Sequence, residues 1–411
     1  MAKIMAVNAG SSSLKFQLLE MPAEQVIAKG LIERIGMDDA IVTIKYTADD
    51  QAAQNDKVTV DGEKAKFKDV TAIKDHEAAI NFMLARLSGL GIIEDFNEIV
   101  GVGHRVVAGG EEFKHSVVVT PEVLKKIEDL ADYAPLHNPA NAQGIIAFQK
   151  LLPDAISVAV FDTSFHQTMP KENYLYSLPY EYYTRYGARK YGAHGTSHRY
   201  VAGRAAKILG QKLEDLKLIT MHLGAGASIT AIQGGKSYDT SMGFTPLAGV
   251  TMATRSGDVD VSLVDYIQNK EGLSNEEMLN ILNKKSGLQG ISMLSSDMRD
   301  LRAARDTNEN AELAIQIFVN RVVRYVGQYI AEMGGADAIV FTAGIGENAD
   351  WIRKEISDKL GYFGIELDDA KNAINGQEEI ISKDSSKIKV LLVPTDEELM
   401  IARDVQSLMN K

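Results

Sequence analysis

The sequence contains no cysteine. That excludes a disulfide framework, a thiolate metal site and a cysteine nucleophile, and it fits a reducing cytoplasm. No stretch approaches the roughly 20 apolar residues that a bilayer span needs. Met1-Ala2-Lys3-Ile4-Met5-Ala6-Val7 turns polar at Asn8, too soon for the apolar core of a signal peptide. Positive charge is scarce: 44 Lys and Arg against 56 Asp and Glu leave a formal net charge of −12. A nucleic-acid surface is therefore not expected, and an anionic small substrate must be drawn by a local cluster of Arg, Lys and His. Gly-x-x-x-x-Gly-Lys-Ser/Thr, Gly-x-Gly-x-x-Gly and His-Glu-x-x-His are also missing, so P-loop, dinucleotide and zinc-protease readings lack their signatures. What is present is ordinary for a globular protein: 411 residues, 45% hydrophobic and 24% charged, enough for about two domains.

Three segments share one design, an apolar run feeding a turn of glycine and hydroxyl residues. They are Ile4-Met5-Ala6-Val7-Asn8-Ala9-Gly10-Ser11-Ser12-Ser13, Leu218-Ile219-Thr220-Met221-His222-Leu223-Gly224-Ala225-Gly226-Ala227-Ser228, and Ala338-Ile339-Val340-Phe341-Thr342-Ala343-Gly344-Ile345-Gly346-Glu347-Asn348. Small residues let backbone N–H groups approach an anion closely. Three such turns behind strands point to a nucleotide held between two similar halves.

Residues 1–20 read as a hairpin, 41–44 and 57–60 as strands around a solvated polar turn at 49–57, and Asp75 to Leu87 as a helix. Ile99 to Val107 is a buried strand, and Thr120-Pro121 and Asn138-Pro139 are cap-plus-proline helix starts. A strand from Ala155 ends at Asp162. The pattern restarts near 216, and Asn310 to Met333 forms a long helix with Leu313, Ile317 and Val326 inward. Lys389 to Val393 is a last strand before a short terminal helix. Alternating strands and helices with repeated hairpins indicate an α/β protein of two lobes with mixed sheets.

Several residues suit chemistry on anions. Arg105 ends an apolar strand, and Arg255 stands among small and hydroxyl residues in Thr254-Arg255-Ser256-Gly257-Asp258; both suit recognition of carboxylate or phosphate. Asp162 closes a strand where α/β proteins gather catalytic groups. His194 and His198 have a helical metal-pair spacing, but Gly195 and Thr196-Ser197 argue for a loop. His137 lies in a constrained turn, whereas His76 and His115 read as solvated.

Together these segments resemble the acetate kinase family, within the acetate and sugar kinase/Hsp70/actin superfamily. The matching motifs run in order: Val7 to Phe16, Gly103-His104-Arg105-Val106-Val107, Phe161-Asp162-Thr163, His194-Gly195-Thr196-Ser197-His198, His222-Leu223-Gly224, Asp239-Thr240-Ser241-Met242-Gly243, Thr254 to Asp258, Phe341 to Asn348, and Pro394-Thr395-Asp396-Glu397-Glu398-Leu399. The resemblance implies an α/β, two-lobed actin-like ATPase fold of duplicated ribonuclease H-like domains. Its lobes would be 1–160, joined by 385–411, and a nucleotide-binding lobe 161–384, with a hinge near 150–165 and 380–397.

It also implies reversible, ATP-dependent phosphorylation of acetate with Mg²⁺, for which Mn²⁺ can substitute, by a cytoplasmic homodimer that binds neither membrane nor nucleic acid. By carry-over, Asn8 and Glu398 hold the metal, Arg105 the acceptor and Lys15 the nucleotide; His137, in its constrained turn, is either a further candidate for the acceptor site or a cap. His222, Leu223, Gly224, Ala225, Gly226, Asp297, Met298, Arg299, Gly344, Ile345, Gly346, Glu347 and Asn348 complete the ATP site. Asp162 is the family's acid/base, with His194 and Arg255 as transition-state stabilisers. Acetate is already ionised at neutral pH, so Asp162 is expected to hold an arginine or a metal-bound water rather than to take a proton. Ala193 replaces a family Phe beside the pocket for the substrate methyl, which leaves propionate open as the acceptor. A sugar kinase and a non-catalytic actin-like ATPase are the remaining alternatives.

Overall fold

The computed structural model describes residues 1–48, 55–134 and 137–410. Positions 49–54 of the expected polar turn, Pro135 and Leu136 of the turn before His137, and Lys411 lie outside the described residues. The chain forms two compact units, one of residues 1–164 and 396–411 and one of residues 165–395.

The first unit is built on a nine-stranded sheet of β1 (Ala2–Ala9), β2 (Ser13–Met21), β3 (Gln25–Glu33), β4 (Ala40–Thr47), β5 (Val58–Asp61), β6 (Lys64–Thr71), β7 (Ile99–Val106), β8 (Val117–Val118) and β9 (Ile156–Phe161). Their order is β5-β6-β4-β3-β2-β1-β7-β9-β8. The second unit has six strands: β10 (Lys217–Leu223), β11 (Ala227–Gln233), β12 (Lys236–Thr240), β13 (Ala338–Thr342), β14 (Glu379–Ile380) and β15 (Lys389–Leu392), in the order β12-β11-β10-β13-β15-β14.

Both sheets contain the same five-strand series. β3-β2-β1 and β12-β11-β10 are antiparallel ladders, and β1-β7-β9 and β10-β13-β15 are parallel ones. Antiparallel neighbours are joined by tight turns, whereas parallel ones need a helical crossover. Helices supply it: His76–Gly89 lies between β1 and β7, and Glu309–Glu332 between β10 and β13. Strand β13 is buried along its whole length because helices cover both faces. Phe318, Val322 and Tyr329 pack with Met221 and Phe341, while Val201 and Ala205 pack with Leu218, Val340 and Leu391.

In the first unit the C-terminal helix Glu397–Met409 packs directly on β7 because two glycines bare the strand. A Cβ on Gly103 would lie 2.3 Å from Ile401 Cγ2, and one on Gly101 2.6 Å from Val405 Cγ1.

Four local expectations fail for identifiable reasons. Asn138 is the first residue of helix Asn138–Leu151 rather than its cap, which falls at His137. Its buried side chain is instead used to bond Ala108 N and O. His76 is buried, not solvated, and its Nε2 lies 2.7 Å from the Gly10 carbonyl, bracing the first glycine turn. Leu313 is exposed and Ile317 half-buried, because the inward stripe of that helix runs through Ala314, Ile315, Phe318 and Val322. His194 precedes helix Gly195–Leu209 rather than a loop: the small residues 195–197 are buried against the sheet, and His198 lies in the helix's first turn.

Gly103→Ala is expected to destabilise the protein by about 1–3 kcal/mol, since the helix Glu397–Met409 must shift. Chemical denaturation measures it, and an unchanged midpoint would contradict the packing described.

Candidate active site

Parallel strands bring the ends of β1, β7 and β9 to one edge of the first sheet, and there the sequence places its charges. Asp162 follows β9 and is fully buried. It accepts from Arg105 Nε at 2.9 Å and from Arg105 Nη2 at 2.6 Å, a two-point clasp that fixes the guanidinium plane. Asn8 is the penultimate residue of β1 and faces Lys15 across the hairpin, and Lys15 is ion-paired with Glu398. Asn141, from helix Asn138–Leu151, donates to the Ala9 carbonyl and accepts from Val107 N, tying β1 to β7. His137 is half-buried at the start of that helix.

Glu397 belongs to a matching motif, but the sequence reading gave it no role. Its Oε1 is buried with no hydrogen-bond partner among the described residues. Burial pushes its carboxyl up to about 7; Arg105 opposes the shift, while Asp162 and Glu398 add to it. The available signal was the tandem Glu397-Glu398 at the start of helix Glu397–Met409. The Asn8 oxygen and two adjacent carboxylates, one of them with an orphaned buried oxygen, are the hard donors that suit Mg²⁺.

In the second unit the turn Gly224-Ala225-Gly226 links β10 to β11. A methyl group on Gly226 would lie 3.4 Å from His194 Nε2 and 3.6 Å from Arg255 Nη1, so both cationic-capable groups converge over this glycine. The Arg255 loop is tied to the turn by Ala253 N donating to Ala225 O, and Arg255 Nη1 donates to Pro246 O at 3.0 Å. His194 sits at φ 56 and stacks on His222 with ring centroids 4.1 Å apart. His222 Nδ1 meets Ser197 Oγ at 2.8 Å. Leu223 is buried in the core.

Next to this turn is a cavity of about 570 Å³ lined in part by Gly224, Ala225, Asp297, Met298, Arg299, Gly344, Ile345 and Asn348, eight of the expected nucleotide contacts. Its size and its mixture of backbone, apolar wall and polar rim suit a nucleoside. Trp351 and Arg302 also line it and were not anticipated; Trp351 is the chain's single tryptophan, four residues after Glu347. Arg299 clasps Asp297 and holds its carboxyl down to about 2. Gly346 is buried behind the turn, and Glu347 folds back, its Oε1 accepting from Ala343 N and Thr395 N. Ala193 is buried in the core. Among the described residues no group of three or more His, Asp or Glu could hold a metal ion.

A nucleoside-sized cavity beside a glycine turn, on the duplicated five-strand sheet, defines a two-domain α/β protein of the actin-like ATPase fold. The Acetokinase family model matches residues 3–403, and the chain belongs to that family. It is 61% identical over 410 residues to the acetate kinase of Enterococcus faecalis, covering 99% of this chain and 100% of that one. It is 59% identical over 409 residues to the acetate kinase of Limosilactobacillus fermentum, covering 99% of each. The crystal structure of Porphyromonas gingivalis acetate kinase superposes with a TM-score of 0.91 at 43% identity, covering 100% of both chains. A propionate kinase from Francisella tularensis superposes at 0.89 with 41% identity, covering 99% of this chain and 100% of that one.

Glu397 has a folded pKa above its ordinary value of 4.5, so its contribution to stability is complete below that value and is lost as pH rises through about 7. Glu397→Gln cannot ionise. Relative to the parent, it should gain roughly 1–3 kcal/mol between about pH 5 and about pH 8 in metal-free unfolding experiments. An equal difference at both pH values would show that Glu397 is not held uncharged.

Proposed function

We propose that this chain transfers the γ-phosphoryl group of ATP directly to acetate, giving acetyl phosphate and ADP, and catalyses the reverse. The observation that carries the reading is the convergence of His194 and Arg255 over Gly226, beside the nucleoside-sized cavity. The relatives at 59% and 61% identity are acetate kinases, while the propionate kinase stands at 41%, which favours acetate.

The acceptor is an ionised carboxylate and needs no base. The difficulty is that two anions must approach, so catalysis consists of positioning and of positive charge supplied where it develops. Arg105, held by Asp162, binds the carboxylate, with His137 assisting. Arg255 and His194 stabilise the charge on the transferring phosphoryl oxygens. Lys15 contacts the nucleotide, and the residues around the cavity hold its base and ribose. Magnesium, or manganese in its place, would be held by Asn8 and Glu398, to which we add Glu397. When bound, it neutralises phosphate charge. Among the described residues no helix is long and apolar enough to cross a membrane, and ATP as substrate fits a cytoplasmic enzyme. Exposed Val261, Leu263 and Tyr266 of the second unit support a homodimer.

Incubation with Mg-ATP, hydroxylamine and acetate should yield acetohydroxamate; EDTA should abolish the product, and a sugar should give none. Acetate should exceed propionate in kcat/KM by about tenfold or more, one methylene being worth roughly 1–3 kcal/mol. A propionate preference would overturn the assignment. Asp162→Asn should raise the KM for acetate and lower kcat, leaving the KM for ATP within about twofold, because it releases the Arg105 plane. Normal turnover in that variant would refute the role given to the clasp.

A further inference from the structure

Behind His194 lies a row of side chains that the proposed reaction does not use. His194 Nδ1 is 2.9 Å from Ser228 Oγ, and the same oxygen is 2.8 Å from His198 Nε2. His198 Nδ1 is in turn 2.7 Å from Thr220 Oγ1. Ser228, His198 and Thr220 are fully buried. Ser228 belongs to β11, Thr220 to β10 and His198 to helix Gly195–Leu209, so three separate elements fix the row.

The chemistry of this row allows few proton arrangements. A serine hydroxyl has one proton, and a neutral imidazole carries one N–H. Burial, followed by the nearby His166 and His222, keeps the His198 pKa well below its ordinary value, so that ring is neutral. Two arrangements then fill all three contacts. In one, Thr220 donates to His198 Nδ1, His198 Nε2–H donates to Ser228, and Ser228 donates to His194 Nδ1. In the other, every donor is reversed.

Thr220 decides between them. Its hydroxyl has no hydrogen-bond partner other than His198 Nδ1 among the described residues. In the reversed arrangement it would accept from His198 and keep its own buried proton without an acceptor, which is costly. In the forward arrangement every proton is used, and a neutral His194 carries its N–H on Nε2. That nitrogen and the adjacent Cε1 are the His194 atoms that face the space over Gly226, each 3.4 Å from a methyl group placed there.

We propose that Ser228 is a positioning residue which, oriented by His198 and Thr220, donates to His194 Nδ1 and thereby keeps the Nε2–H of His194 aimed over the glycine turn. The inference rests on the reading of His194 as a donor to the phosphoryl group.

The test is 15N NMR of the histidine-labelled full-length protein, with the His194 signals assigned by difference against His194→Gln. In the parent, His194 should show a bare Nδ1 and a protonated Nε2. Ser228→Ala should shift both signals toward a tautomer mixture and lower kcat roughly tenfold or more, with the KM for ATP and acetate within about twofold. Ser228→Thr, which keeps a hydroxyl, should restore most of the rate and the signature. Thr220→Val, nearly isosteric and remote from His194, should move the signals in the same direction. A parent with the proton on Nδ1 would overturn the proposal. So would a Ser228→Ala variant whose rate falls while the His194 signals stay fixed. If the parent shows the expected tautomer yet makes no acetyl phosphate, the functional reading fails and the proton chain stands.

Discussion

Like charges repel, and both proposed reactants are anions at neutral pH; the anchored cations of the two sites answer that constraint. A cation left mobile would have its charge screened by water, so each one here is anchored. Arg105 is locked by two points of contact to a carboxylate that is itself fully buried. Taking such a pair out of water is unfavourable, and the penalty is tolerable because the geometry satisfies both partners. Arg255 is held differently, with a carbonyl oxygen among its partners. A carbonyl orients a guanidinium without cancelling its charge, which suits a group meant for a phosphoryl oxygen rather than for a protein carboxylate.

Acids as well as cations crowd around Asp162, and they cannot all stay charged. Glu397 and Glu398 begin one helix, yet Glu398 is neutralised by Lys15 while Glu397 is driven toward its uncharged form. A divalent cation would reverse that balance, since burial penalises a bare carboxylate far more than one whose charge is matched. Metal binding at this site would therefore favour the ionised form of Glu397, and ionisation of Glu397 would in turn favour binding.

How much of this was legible in the sequence depended on whether the signal was local. The hairpin β1–β2, the cap at Thr120-Pro121 and the glycine turns after β1 and β10 carry their physics in adjacent residues, and the structure has them where the pattern put them; the third glycine segment forms helix Ala343–Asn348 instead of a turn. Asn138 and His76 misled because a buried polar side chain with a distant backbone partner looks, in sequence, like a cap or a solvated group. Leu313 misled because a 24-residue helix has more apolar residues than its buried stripe can use. Glu397 was hidden by its twin. Of the cavity residues, Gly224, Ala225, Gly344, Ile345 and Asn348 sit in glycine-rich segments visible in the sequence, Asp297, Met298 and Arg299 carry no local signal, and Trp351 and Arg302 are brought there only by the folding of neighbouring helices.

The duplicated sheet explains why two similar units carry different chemistry. Both repeat one series of five strands, and in each the parallel strands end at a common edge. At that edge the first unit places Asn8, Arg105 and Asp162, whereas the second places Gly224, Gly226 and Gly344. A small carboxylate offers little surface and must be caught by a directed charge, hence long side chains on rigid strand ends. A phosphate chain offers many acceptor oxygens and is better matched by backbone N–H groups, which require that side chains be absent. His194 fits this division: it enters the glycine-rich unit from a helix start, with its tautomer governed from behind by residues that never meet the substrate. The same framework has thus been specialised at its strand ends, with little change to the strands themselves.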